Sequence, residues 1–295
     1  MRSSQLSRHH PKASLQQIFS YGLEALTNRR KNLFLLSFWF IFLPQLMAVY
    51  AFLLTATSIE KAIADTSSLA PLDQFMSLFN GIGQRILLPS LVAGGLFFVG
   101  MLSLARTSVD YFESKPESIP SAIMRSMRVL LTKGLGAALM LIIITPALTL
   151  MPLLRAIGIS MLLMLPVTLV ASSSGGFKST WDTLWLRYTS PTAFGRWPVF
   201  VNVLSVTGLF ISLFFLGGFL IEKIPVLDTI MGTSAGFLEK NVAVLGGVMN
   251  AGWLIAAMTG LIWEAGLLAV MMPFLASVYH LTTTPEGHTP FQAEA

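Results

Sequence analysis

The sequence predicts an all-α integral membrane protein with six transmembrane helices, arranged as three repeats of an amphipathic interfacial helix followed by a transmembrane hairpin. Charged residues make up 11% of the 295 residues, compared with about 25% in soluble domains. The chain contains several apolar runs whose length approaches the roughly 20 residues needed to cross a bilayer. Three segments that each precede such a run share one pattern of serine, apolar and basic residues.

Six segments have the length and composition of a membrane span. The first begins after roughly 32 polar or amphipathic residues and is too long for the apolar core of a signal peptide, so we expect an uncleaved insertion signal. The fourth is short and follows the third closely, which favours a helical hairpin. The six segments are 33–56, 86–105, 134–154, 157–172, 198–220 and 251–276.

The distribution of Lys and Arg predicts the orientation. Fourteen of these nineteen residues lie in the first 32 residues and in the connections 106–133 and 173–197, whereas five lie on the opposite side. Because positive charge is enriched on the cytoplasmic side, we expect both termini in the cytoplasm. The same asymmetry accounts for the pI of about 9.6. With no nucleic-acid-binding motif in the sequence, we expect no nucleic-acid partner.

Three cytoplasmic segments repeat one pattern: "SLQQIFSYGLEAL" from Ser14, "SIPSAIMRSMRVL" from Ser118 and "STWDTLWLRY" from Ser179. Each begins with a serine suited to the N-cap of a helix. Apolar residues then follow at helical spacing, and basic residues lead into a span. The predicted organisation is a cytoplasmic tail, one six-span domain of three units and a flexible tail, at residues 1–12, 13–280 (units of about 13–110, 117–172 and 177–280) and 281–295.

The basic residues of these segments are candidate ligands for lipid phosphates. Interfacial helices place their apolar face in the headgroup boundary and their cations near anionic phosphates, so the expected partners are membrane lipids, anionic ones included. Packing of the same helices against the spans is the alternative. The candidates are Arg29, Arg30, Lys31, Arg128, Lys133, Arg187 and Arg196.

The last span, which includes "TGLIWEAGLLAV", contains Glu264. A carboxylate at the centre of a bilayer is costly, so it is hidden, partnered or used. Gly260, Ala256 and Gly252 precede it in steps of four, a stripe on which neighbouring helices pack closely. We therefore expect Glu264 to face the bundle. Polar residues at similar depth on other spans are Gln45, Thr145, Thr168 and Ser212.

Two interpretations of Glu264 follow. In the structural one, it is protonated or hydrogen-bonded and fixes the packing of the bundle. In the functional one, it lines an aqueous path and exchanges a proton or binds a cationic substrate. The intramembrane functional candidates are then Glu264, Gln45, Thr145 and Ser212. Pro44, Pro146 and Pro166 either free backbone carbonyls that line a cavity or simply kink their helices.

No catalytic site is predicted. The chain has no cysteine, which excludes disulfides, thiolate metal sites and cysteine nucleophiles. "GTSAG" at 232–236 matches the serine-hydrolase elbow, but it lies in a predicted external connection without the strand-to-helix turn that the elbow requires. The four histidines lack metal-ligand spacing. We expect no catalytic residue, no metal and no cofactor. The small residues of "GGLFFVG", from Gly94, are expected to let helices approach closely.

The repeated layout, with sequences such as "SIPSAIMRSMRVLLTKGLGAALML", resembles a broad group of bacterial multi-span membrane proteins. The group includes the membrane domain attached to some glycerophosphodiester phosphodiesterases. The resemblance covers most of residues 13–280 and is one of layout, without a catalytic motif. It implies the fold, a multi-pass location in the bacterial cytoplasmic (inner) membrane and lipid-related biology. It transfers no catalytic residue, because the phosphodiesterase activity of such proteins lies in a separate soluble barrel that this chain has no room for.

These observations leave two function hypotheses. The first is a non-enzymatic inner-membrane protein that interacts with lipids or supports envelope homeostasis through its cytoplasmic basic helices. The alternative is a small transporter or permease that uses Glu264 as an intramembrane binding or proton-coupling residue. Neither a protein partner nor an oligomeric state is predicted.

Overall fold

The computed structural model describes residues 15–49, 84–115, 118–150, 163–171, 197–222 and 251–283. Within these ranges all regular structure is helical and no strand occurs. Three helical stretches among them are long and apolar enough to cross a membrane, which indicates a membrane protein. They are Leu15–Val49, Leu88–Phe112 and Met258–Leu281, and a shorter apolar helix covers Leu204–Leu220.

Helix α1 (Leu15–Ser37) runs into a π-helical turn, Phe38–Phe42, and continues to Val49. The other helices are α2 (Gln84–Phe112), α3 (Ile119–Leu150), α4 (163–171), α5 (Trp197–Glu222) and α6 (Ala251–Thr283). The expected interfacial helix and the span after it form one continuous helix in α1 and again in α3. Arginine and lysine are good helix formers, and neither Gly nor Pro interrupts 29–31 in α1, so the basic residues do not end the helix.

Helix α2 ends in a Schellman motif. The Lys115 N–H donates to the Asp110 carbonyl at 2.9 Å, and the Ser114 N–H donates to the Tyr111 carbonyl at 3.1 Å. Ser114 adopts the left-handed conformation, with φ at 51°, at a position that usually holds glycine. The motif gives the last carbonyls of α2 a partner and reverses the chain before α3.

Ser118 occupies the predicted N-cap position of α3. The helix begins at the next residue, Ile119, and the Ser118 carbonyl accepts the first helical hydrogen bond from the Ala122 N–H at 3.1 Å. The corresponding serines of the other two repeats, Ser14 and Ser179, lie outside the described residues.

The chain forms two compact units. The first comprises residues up to Phe34, Leu102–Ile211 and residues from Ala269 onward, and the second comprises Leu35–Met101 and Ser212–Leu268. The boundaries fall inside α1, α2, α5 and α6, so each of these helices contributes residues to both units.

In the first unit, the beginning of α1 packs against the end of α6. Ile18 is 1% exposed, and its carbonyl accepts a hydrogen bond from the Ser277 hydroxyl at 3.0 Å. The rings of Phe19 and Phe274 lie 5.4 Å apart, and Gly22 contacts Phe274 so closely that a Cβ would overlap the ring. Residues of α6 therefore contact Ile18, Phe19 and Gly22 on the apolar face of the first predicted interfacial helix, whereas Leu15 on the same face is exposed. The third predicted one, from residue 179, lies outside the described residues.

In the second unit, α2 approaches the π-helical turn at Gly100. A Cβ at Gly100 would lie 2.8 Å from Phe40 Cβ and 2.9 Å from the Phe40 carbonyl oxygen. Pro44 lacks an N–H and so deprives that carbonyl of its usual donor. Gly94 and Gly95 have open space where a Cβ would be. The expected close approach between helices is therefore confirmed at Gly100 and is wrong at Gly94 and Gly95. Those two glycines face outward, because only one stripe of α2 contacts α1.

Candidate functional site

The structure brings Gln45 and Glu264 together within the second unit. Gln45 Nε2 donates a hydrogen bond to Glu264 Oε1 at 3.1 Å. Both side chains are partly buried, and Gln45 Oε1 is buried without a hydrogen-bond donor among the described residues. Of the four polar residues expected at the depth of Glu264, Gln45 is therefore the one whose contact with it is observed.

A second contact between the same helices supports this pair. The buried Ser37 hydroxyl donates a short hydrogen bond to the Ala265 carbonyl. Ser37 and Gln45 lie on either side of the π-helical turn, eight residues or about 12 Å of helix rise apart, whereas their partners are adjacent in sequence. The long side chains of Gln45 and Glu264 bridge the distance that remains between the two helices at this point. A π-helical turn lies between the two contacts, and such turns are frequent at functional sites.

Among the described contacts, Thr168 and Ser212 do not join this pair. Thr168, in the first unit, donates to the carbonyl of Met164 in its own helix at 2.9 Å. Ser212 is exposed on α5. Thr145 belongs to α3, but its side chain lies outside the described residues.

Of the stripe of small residues that led us to expect Glu264 to face the bundle, only Gly260 has its surroundings described. A Cβ at Gly260 would meet nothing within 4 Å, so this glycine does not mark a close approach between helices. Glu264 lies one turn further along, where α6 meets the end of α1. Small residues permit helices to approach but do not require it.

The basic candidates divide into three groups. Arg29 and Lys133 donate to backbone carbonyls, Arg29 to Lys115 at 3.1 Å and Lys133 to Leu169 at 3.1 Å. Burial lowers the pKa of the Lys133 ammonium group. Arg30, Lys31 and Arg128 are exposed, and Arg187 and Arg196 lie outside the described residues.

A buried ion pair in the first unit was missed by sequence reasoning. Arg106 binds Asp110 through two contacts, Nη2 to Oδ1 at 2.9 Å and Nε to Oδ2 at 3.0 Å. The Asp110 side chain is 1% exposed, and the half-exposed Arg125 approaches Oδ2 at 3.6 Å. The sequence signal that could have predicted this ion pair is the spacing of Arg and Asp, four residues apart and therefore on one helix face. It was missed because the segment was predicted as a connection between spans.

Two cations bind neighbouring backbone carbonyls of α4. Arg106 Nη1 donates to the Val170 carbonyl at 3.3 Å, next to the Leu169 carbonyl that accepts from Lys133. Lys133, a candidate ligand for a lipid phosphate, thus donates one of its N–H groups to a backbone carbonyl.

Tyr111 links α2 to α1 in the first unit. Its hydroxyl donates to Glu24 Oε1 at 3.0 Å and accepts from Asn28 Nδ2 at 3.0 Å. Because both partners lie on one face of α1, a single side chain fixes the rotation of one helix against the other.

Among the described residues, no three His, Asp or Glu side chains gather where they could hold a metal ion. Protein-family models, curated proteins and solved structures include no match to the chain. The described residues therefore offer the chemistry of a partly buried carboxyl–amide pair and of exposed cations beside apolar surface.

Proposed function

We propose that the chain is a non-enzymatic, six-span protein of a bacterial inner membrane that binds anionic lipid headgroups on its cytoplasmic side. Both termini are cytoplasmic, and the three units of helix plus hairpin each present cations to that surface. The engagement of lipids serves membrane organisation or envelope homeostasis.

The observation that carries this proposal is the surface of the first turns of α3. Met124, Met127 and Leu131 are 68%, 48% and 84% exposed. Their spacing places them on one stripe of the helix. Arg125 and Arg128 are exposed beside them. An open apolar stripe flanked by cations has the composition of a helix that lies in a headgroup boundary, with its apolar side chains in the acyl region and its cations at the phosphates.

Arg30 and Lys31 add to this surface. Both are exposed on α1, and neither forms an ion pair with any described residue. Arg29 and Lys133 contribute less, because each already donates one hydrogen bond to a backbone carbonyl and is less exposed. We therefore assign the contact with lipid phosphates chiefly to Arg30, Lys31 and Arg128.

The test replaces Arg30, Lys31 and Arg128 together with glutamine. Each cation near an anionic surface contributes about 1 kcal/mol, so the triple variant loses about 3 kcal/mol, a more than hundredfold loss of affinity. The measurement is titration of the detergent-solubilised protein with fluorescent phosphatidylglycerol, with phosphatidylcholine as the uncharged-surface comparison.

A matched control is Lys61→Gln, which removes one positive charge from the side predicted to be external. It should leave phosphatidylglycerol binding unchanged. Equal binding by the triple variant and the wild type would contradict the assignment of lipid binding to these residues.

The contact between Gln45 and Glu264 favours one second candidate, a small transporter with Glu264 in its path. Because the chain has no cysteine, Glu264→Cys introduces a single thiol. Ser67→Cys and Ser190→Cys serve as controls for the two predicted sides. Rapid reaction of the thiol at 264 with a membrane-impermeant reagent supports an aqueous path, and protection at every pH tested contradicts transport through this site.

A further inference from the structure

Glu264 has no charged neighbour among the described side chains of the second unit. Those side chains belong to 35–49, 88–101, 212–220 and 258–268, and Glu264 is the only one of them that titrates. No Lys, Arg or His in these ranges offers a counter-charge. An ionised carboxylate in such surroundings loses the hydration that water gives it and receives no compensating cation.

The carbonyl oxygen of the Gln45 side chain, in contrast, has no hydrogen-bond donor among the described residues. Its Nε2 already donates to Glu264 Oε1, whereas its own Oε1 is buried and receives no hydrogen bond from the described residues. An amide presents its N–H and its carbonyl oxygen on one edge, and an ionised carboxylate can only accept. An ionised Glu264 therefore satisfies one half of the amide and leaves the other half unpaired.

We propose that Glu264 is protonated in the folded protein and forms a cyclic pair of hydrogen bonds with the Gln45 amide, so that the two residues make a proton-binding site within the second unit. The Gln45 N–H donates to Glu264 Oε1, as observed, and the carboxyl O–H on Oε2 donates to Gln45 Oε1. One proton thereby removes the charge of Glu264 and supplies the missing donor for Gln45.

The opposite orientation of the amide leads to the same conclusion. Rotating the Gln45 amide by half a turn would set its carbonyl oxygen against Glu264 Oε1. Two oxygens at 3.1 Å repel unless a proton lies between them, so this arrangement also requires a protonated carboxyl group. A bound cation at the pair would need several more oxygen ligands.

This inference rests on neither of the functions proposed above, since it concerns only how the pair is bonded. The proton enters from solvent and is released to it, and no covalent step is involved.

The experiment is infrared difference spectroscopy of the full chain in lipid bilayers at neutral pH. The carbonyl stretch of a protonated carboxyl group is separated from the bands of amides and carboxylates. We expect this band in the wild type, its loss in Glu264→Gln, and its shift to higher frequency in Gln45→Leu, where the carboxyl group loses its hydrogen-bonded partner. Glu113→Gln, which alters an exposed carboxylate paired with Lys115, is the control and should leave the band unchanged.

Stability gives an independent measurement. Glu264→Gln reproduces the hydrogen bonds of the protonated acid, because its amide N–H replaces the carboxyl O–H. It should assemble like the wild type and unfold at a similar Tm, whereas Gln45→Leu, which removes both hydrogen bonds of the pair, should lower the Tm. A wild-type spectrum that gains a carboxylate signal relative to Glu264→Gln, or a Glu264→Gln variant that fails to assemble, would overturn the proposal.

Discussion

Replacing Gly100 with alanine adds one methyl group at the closest approach between α2 and the π-helical turn. The new Cβ would lie 2.8 Å from Phe40 Cβ, 2.9 Å from the Phe40 carbonyl oxygen and 3.1 Å from Ile41 Cγ1. Two of these three atoms are backbone or Cβ atoms, which cannot turn away as the end of a side chain can. The helices must separate by a few tenths of an ångström, or the methyl group must be accommodated by strain.

The expected cost follows from two opposing terms. Overpacking a well-packed site costs about 1–3 kcal/mol, whereas alanine is favoured over glycine inside a helix by about 0.8–1.0 kcal/mol. Gly100→Ala should therefore lower the free energy of unfolding by up to about 2 kcal/mol. Gly95→Ala is the matched control, because it lies on the same helix and its Cβ would meet nothing within 4 Å.

The assay is unfolding in mixed micelles by titration with a denaturing detergent, with loss of helix as the signal. Gly95→Ala should raise the free energy of unfolding by up to about 1 kcal/mol, so the two variants should differ by about 1–3 kcal/mol, which is the overpacking cost alone. Equal shifts for both variants would refute the argument that contact with Phe40 makes glycine necessary at position 100.

Three further predictions use the same assay. Asp110→Asn removes the buried partner of Arg106 and should lower the free energy of unfolding by about 3–5 kcal/mol. Arg125 is half exposed and 3.6 Å from the same carboxylate, so Arg125→Gln should lower it by less than about 1 kcal/mol. Equal losses would contradict the assignment of Arg106 as the main partner of Asp110. Ser114→Gly should stabilise the protein by about 0.5–1 kcal/mol, because φ is positive there and a side chain is disfavoured in that conformation, and a loss of stability would contradict it. Tyr111→Phe should cost about 0.5–1.5 kcal/mol, the net value of a hydrogen bond whose partners remain accessible to water, and no change would show that its link to α1 contributes nothing.

The helices themselves were predictable to a useful degree. The run 198–220 predicted a helix that the structure places at Trp197–Glu222, because a long apolar segment has few alternatives to a helix when its backbone must be paired internally. The serine at the start of the second repeat likewise predicted the beginning of α3. The boundary between interfacial helix and span was not predictable, since basic residues extend a helix as readily as they end it.

The partners of individual side chains were harder to predict. Hydropathy placed Gln45 and Glu264 at comparable depth but gave no preference for Gln45 over Ser212, because depth does not determine which helices are neighbours. Lys133 was predicted as a phosphate ligand, and nothing in the sequence indicated that it donates to the Leu169 carbonyl. A cation is attracted to either oxygen, and only the path of the chain decides which one is within reach. Gly260 shows that a small residue does not by itself predict a close contact between helices, because a Cβ there would meet nothing within 4 Å.

The link between Gln45 and Glu264 also has a consequence for biosynthesis. The two residues are 219 positions apart, so at about 5–20 residues per second the ribosome adds Glu264 roughly ten seconds or more after Gln45. During that interval the amide of Gln45 enters the membrane without its partner, at a cost that hydrocarbon does not offset. A nascent or truncated chain that lacks α6 therefore exposes an unpaired polar group, a feature by which insertion factors and membrane proteases can distinguish unfinished chains from assembled ones.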